Sequence, residues 1–193
     1  EKARLEGDQA EDYKNKIKLR ERLVTQLASK APDIEGLVYL SRLEMSLGNF
    51  QSAAKALYQA QVIDPKSFDL QLMYGESLIV AAKEKVTPAA LVVLNKAAKT
   101  QPAHPGPKYY FALADYQAGD IEVAYRNWLE ISRGLEEQSP LKPLVDYWAN
   151  KAAMELGLAQ GLPETRAPSI TSEQVETIQN MDEGEQAELI YQM

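Results

Sequence analysis

Cysteine is absent and histidine occurs once, at His104. Without thiols there is no disulfide and no thiolate metal site, and one imidazole can neither complete a metal shell nor join a Cys–His pair. Basic residues are outnumbered, 21 Lys and Arg against 28 Asp and Glu, for a net charge of −7. Phosphate binding needs clustered cations, so nucleic acid is not an expected partner. No apolar run approaches the roughly 20 residues of a membrane span, and no signal peptide is visible. Glycine-rich phosphate loops and nucleophile motifs are missing as well. What is present is a 45% hydrophobic chain of 193 residues, enough for one folded domain or one short repeat array. It opens on Glu1 rather than methionine, which leads us to expect a processed or excised piece.

The clearest pattern runs from Leu37 to Pro65. Leu37, Leu40, Glu44 and Leu47 follow helical spacing, Gly48 permits a reversal, and Ala53, Leu57 and Ala60 recur at i, i+4 and i+7 before Pro65 ends the unit. Small Ala53 and Ala60 let two helix backbones approach. Ala90, Leu94, Ala97 and Pro102 repeat Ala53, Leu57, Ala60 and Pro65 after 37 residues. Gly119, Ile121, Ala124 and Trp128 then follow Gly48, Phe50, Ala53 and Leu57 at a spacing of 71, three more than two periods of about 34 residues. The three extra residues belong in the Lys83–Thr87 turn, after which Thr87-Pro88 starts a helix as N-cap and first-turn proline. This pattern resembles the tetratricopeptide (TPR) helix-turn-helix, and it predicts an all-α solenoid of three repeats, about 34–67, 68–104 and 105–138.

The flanks complete the array. Glu1–Asp12 is charged and unpatterned, and we expect it to be frayed; Tyr13–Ser29 reads as an amphipathic helix capping one end. Repeat three has Glu136 where a terminal proline would stand, so its second helix is expected to run on to about Gln138. Ser139-Pro140-Leu141-Lys142-Pro143 introduces a last helix, Leu144–Leu156, as the other cap. Residues 1–160 would form the array domain. Residues 161–193 would form a linker and an amphipathic tail, with helices over Ile170–Met181 and Asp182–Met193.

Three stretches are similar to a narrower family. They are VTPAALVVLNKAAKTQP, then FALADYQAGDIEVAYRNWLEI with SPLKPLVDYW, and the tail PSITSEQVETIQNMDEGEQAELIYQM. All resemble the periplasmic C-terminal domain of the cytochrome c maturation proteins CcmI, also called CycH. The resemblance implies a periplasmic location below a membrane anchor missing from this chain. It implies a non-enzymatic chaperone-like module that needs no cofactor. Its partners would be apocytochrome c, held through the C-terminal helix, and the proteins of the haem-ligation complex. A generic TPR scaffold for another partner is the alternative.

Catalysis finds little support in the residues. His104 lies in the loop Gln101–Pro107 and reads as a solvated loop residue, and the carboxylates are scattered along helices. Binding has a clearer basis. On each first helix, a stripe about 100° from the packing face lines the concave groove in the TPR family. Here it comprises Val38, Arg42 and Met45; Leu72, Glu76 and Ile79; and Tyr109, Leu113 and Tyr116, with Tyr110 beside them. Such a groove suits an amphipathic helix, with Tyr109 and Tyr116 as anchors and Arg42 and Glu76 setting register. Val38 and Tyr109 stand where a clamp for a peptide C-terminus would need polar or basic groups. The tail over Ile170–Met193 could occupy the same groove, in cis or by self-association between molecules.

Overall fold

In a computed structural model, residues 2–31 and 33–158 are described, with side chains from residue 10 onward. The linker and tail expected over 161–193 lie outside the described residues. Eight helices and no strand occur among them: α1 Lys2–Ser29, α2 Ile34–Ser46, α3 Phe50–Ile63, α4 Phe68–Ala81, α5 Pro88–Thr100, α6 Pro105–Ala118, α7 Ile121–Gly134 and α8 Lys142–Glu155. The protein is an all-α TPR solenoid, with α2–α3, α4–α5 and α6–α7 as its helical pairs. None of these helices is long and apolar enough to cross a membrane.

Local chemistry sets the helix ends. Asp33 caps α2, its Oδ1 accepting from Gly36 N at 2.6 Å, and Ser67 caps α4 by accepting from Leu70 N. Thr87 caps α5, its Oγ1 accepting from Ala90 N at 3.2 Å, with Pro88 in the first turn as the sequence predicts. Gly48 and Gly119 close the first and third pairs at φ +75° and +92°, angles that a side chain resists. A Cβ at either position would meet nothing within 4 Å, so the backbone angle alone asks for glycine there. The α4–α5 turn, residues 82–87, is three residues longer than the α2–α3 turn, residues 47–49. It carries Lys83 and Glu84 in the left-handed region, φ 57° and 63°.

Two helix limits differ from expectation by more than two residues. α1 begins at Lys2, not near Tyr13. The first dozen residues are rich in Ala, Lys, Arg, Glu and Gln, which hold a helix by propensity without an apolar face to betray it. α7 stops at Gly134, short of Gln138, because Leu135 turns into extended backbone, φ −87° and ψ 143°.

The chain divides into two compact units, Glu1–Pro107 and Lys108–Met193, and the division falls in the first turn of α6. In the first unit α3 packs on α2 and α4, and α4 on α5. Leu37, Ala60 and Leu70 form a buried cluster, against which Leu27 of α1, Ile34 and Val38 pack. Ala53, Ala60, Ala90 and Ala97 have no exposed surface. Gly75 brings α4 close to α5, since a Cβ there would sit 2.7 Å from Leu94 Cδ2. α1 covers one side of α2. Its Arg20 Nε donates to Glu44 Oε1 at 2.7 Å, while Asn49 Nδ2 donates to Glu44 Oε2 at 2.7 Å.

In the second unit α7 packs on α8 around Trp128, Val145, Ala149 and Ala152, none of which is exposed. Ser132 on α7 donates to Asp146 on α8, and Lys142 Nζ donates to Ser132 Oγ at 3.2 Å while lying 3.4 Å from Asp146 Oδ2. That polar triad, with Ser132 and Asp146 buried and Lys142 half-buried, fastens the capping helix with complementary charge.

Candidate functional site

The residues expected to line a groove fall into two sets, one in each unit. In the first unit Val38, Arg42 and Met45 on α2 are half-buried, as are Leu72 and Glu76 on α4. On α2 they lie between the buried positions Leu37 and Ser41 and the exposed Tyr39. That flank is neither fully buried nor fully exposed, and Val38 packs against the buried cluster beneath it. Ile79 differs. At 1% exposure it belongs to the interior, and the half-buried apolar flank of α4 runs instead through Leu72, Met73 and Val80. A hundred-degree pitch places Val80 on that flank and Ile79 toward the core. Met73 and Val80 share the apolar signal of Leu72, but the repeat template alone does not single them out.

Arg42 is unusual on this face. Its Nε is buried and has no hydrogen-bond partner. The carboxylate two residues along the same helix, Glu44, is already engaged through both oxygens by Arg20 and Asn49.

In the second unit the tyrosines are largely committed to packing. Tyr109 and Leu113 are buried, at 5% and 6% exposure, so neither is an open anchor. Tyr109 also meets Tyr110 edge-on, with ring centroids 5.0 Å apart. Tyr116 is half-buried in a three-ring cluster, 5.6 Å from Trp128 and 5.4 Å from Trp148, while Trp128 and Trp148 stack at 5.6 Å. Its hydroxyl donates to a Glu155 carboxylate oxygen on α8. Burial, then that hydrogen bond and the carboxylate charge, push the phenol up to about 12. Lys151 Nζ sits over the same rings, 5.4 Å from the centre of Tyr116 and 4.8 Å from that of Trp148. The capping helix thus holds Tyr116 in place. Of the aromatic groups on α6, Tyr116 is taken up by Trp128 of α7 and Trp148 of α8. Tyr110 stays half-buried.

His104 is not a solvated loop residue. Its Nδ1 accepts from Gly106 N at 3.1 Å at the start of α6, and its ring lies 4.5 Å from that of Phe68. Burial lowers its pKa below the ordinary 6.5, against an upward pull from the Asp69 carboxylate. A neutral imidazole is needed to accept the Gly106 N–H. With the folded-state pKa depressed, the contribution of His104 to stability is complete above the unfolded value of 6.5 and is lost as pH falls toward the lower folded value. The denaturant midpoint followed by circular dichroism is therefore expected to drop between pH 7.5 and 5.5. His104→Asn, which can still cap but does not titrate, is expected to flatten that step. An equal step in both proteins would assign it elsewhere.

Comparison with known proteins places this architecture. The thermophilic TPR protein TTC0263 of Thermus thermophilus has a similar fold, with a TM-score of 0.52 over 75% of this chain and 83% of that one, at 16% identity. The cytochrome c-type biogenesis protein CcmH of Escherichia coli (strain K12) is 44% identical over 54 residues, and that of Shigella flexneri matches equally. Each match covers 28% of this chain and 15% of the relative, so the similarity spans a small part of the relatives' length. The family described as "Cytochrome c-type biogenesis protein H TPR domain" matches residues 9–142, from α1 to the first residue of α8 and more than half of the chain. This chain is a member of that cytochrome c-type biogenesis TPR-domain family.

Proposed function

We propose that this chain is a non-catalytic binding module of cytochrome c maturation, corresponding to the periplasmic TPR domain of CcmI (CycH). It holds apocytochrome c through that protein's amphipathic C-terminal helix and presents it to the haem-ligation proteins. The observation that carries the reading is the family match over residues 9–142, which joins cytochrome c biogenesis to a fold whose business is protein binding. Its physical support is the half-buried flank of Val38, Met45 and Leu72 in the first unit, apolar surface at the edge of a packed core. An amphipathic helix laid against it would bury its own apolar side there, with Met45 adapting to different side chains. Tyr110 offers a comparable half-buried ring in the second unit.

A peptide copying the C-terminal helix of a c-type cytochrome is expected to bind the full chain below about 100 μM, some 5–6 kcal/mol. Met45→Ala combined with Leu72→Ala is expected to weaken binding about tenfold or more, while melting shifts only slightly. Absence of binding by the wild type would point to a different TPR partner. Binding and melting falling together would place these side chains in the core. Tyr109 and Tyr116 make poor probes, since their truncation disturbs packing first.

A further inference from the structure

We infer that Arg42 is the point at which the ligand helix is fixed by charge: it receives a carboxylate of the bound peptide. The inference rests on the proposed peptide-binding role and names the chemistry its ligand must carry. A guanidinium is strongly hydrated in the unfolded chain, and burying its Nε–H without an acceptor is unfavourable. Among the described residues Arg42 nevertheless has no ion pair, and its Nε is buried with no partner. Glu44 is not that acceptor: its two oxygens take hydrogen bonds from Arg20 and Asn49 at 2.7 Å each, and neither bonds Arg42 Nε. The neighbours one turn away on the same face, Val38 and Met45, are half-buried and apolar. Their side chains offer the guanidinium no strong hydrogen-bond acceptor.

That arrangement suits one kind of ligand. The occupant is an amphipathic helix whose apolar side covers Val38 and Met45 and whose acidic group lies at the polar–apolar border. There the acid meets a planar fork in surroundings with little water, where an Arg–carboxylate pair gains most from its geometry. Val38 and Met45 would supply contact area, whereas Arg42 would select register and direction. A basic or neutral residue at the same ligand position would leave the guanidinium unpaired, so the site discriminates against it. The acid can be a side chain or the peptide's own terminal carboxylate.

A double-mutant cycle separates these cases. The probe is the C-terminal-helix peptide of a c-type cytochrome, made with each Asp or Glu singly replaced by its amide, and in one version with an amidated C-terminus. Against the full wild-type chain, one of these neutralised peptides is expected to bind about tenfold more weakly. Arg42→Gln is expected to weaken the unmodified peptide by a similar factor. The two changes together are expected to cost little more than either alone. The peptide that shows this coupling identifies the acid, and loss confined to the amidated version assigns it to the C-terminus. Arg42→Lys, which keeps the charge but not the fork, is expected to recover part of the affinity.

If the unmodified peptide binds and Arg42→Gln binds it equally well, or no peptide carboxylate couples to position 42, the inference is overturned while the proposed function stands. Should Arg42→Gln lower the melting temperature, the peptide arm decides, since it leaves the protein unchanged: wild-type protein indifferent to every neutralised peptide overturns the inference. If the unmodified peptide does not bind the wild type at all, the proposed function falls and this inference with it.

Discussion

Trp128→Ala is expected to cost about 3–5 kcal/mol, the range for deleting a large aromatic side chain from a packed interior. Trp128 has no exposed surface. It stacks on Trp148 and touches Tyr116, so the change removes two ring–ring contacts along with the buried area. Small domains are stable by only about 5–15 kcal/mol, which makes this loss a large share of what holds α6, α7 and α8 together. The chain's two tryptophans are Trp128 and Trp148. The fluorescence of Trp148 in the variant therefore follows unfolding where the damage is done, and its urea midpoint is expected to fall steeply. Trp128→Phe is expected to be much milder. It keeps a ring in the cluster and removes an indole N–H that is buried without a partner. If alanine and phenylalanine prove equally harmful, or alanine is harmless, the ring cluster is not what fixes the capping helix.

Arg20→Ala is the second large effect, at about 3 kcal/mol. The side chain of Glu44 is 3% exposed and that of Arg20 36%, so the arginine reaches from the surface to neutralise an interior charge. Removing it leaves a buried carboxylate held by the Asn49 amide without a compensating cation. The loss should register twice, as a lower denaturant midpoint by circular dichroism and as faster hydrogen exchange along α1. Arg20→Met together with Glu44→Met is expected to recover most of the stability, because exchanging a whole buried pair for apolar groups is often close to neutral. A single Arg20→Ala variant with unchanged midpoint and unchanged exchange would show that α1 docks through Leu27 and its apolar neighbours alone.

The repeat itself was legible because packing two helices at close range leaves few choices of residue. Ala53, Ala60, Ala90, Ala97 and Ala124 are small wherever a helix must pass, and all five are fully buried. Thr87-Pro88 announced the start of α5 by the same capping chemistry the structure shows. The enlarged α4–α5 turn followed from spacing alone. The limits of α1 and α7 were less legible, since neither depends on apolar periodicity: one rests on propensity and the other on a single extended residue, Leu135.

The site was legible only in outline. A stripe on a helical wheel is known to about one residue in angle, and that uncertainty separates Ile79, which is interior, from Val80 on the half-buried flank. Tyr109 and Tyr116 looked like surplus apolar surface because nothing in α6 says that α8 brings Trp148, Lys151 and Glu155 against Tyr116. His104 looked like a loop residue because its acceptor role needs Gly106 two positions on and Phe68 from another helix.

By itself, the sequence determined an all-α array, its repeat period, its turns and the residues along which its helices stack. Those properties are local or nearly so, written in helical pitch, cap chemistry and side-chain size. Only the tertiary structure decided which of two adjoining stripes is covered, which tyrosines are spent on packing, and that Arg42 holds a buried N–H with no acceptor. Burial and pairing depend on groups brought in from distant segments, and no spacing along one helix can report what another helix lays against it.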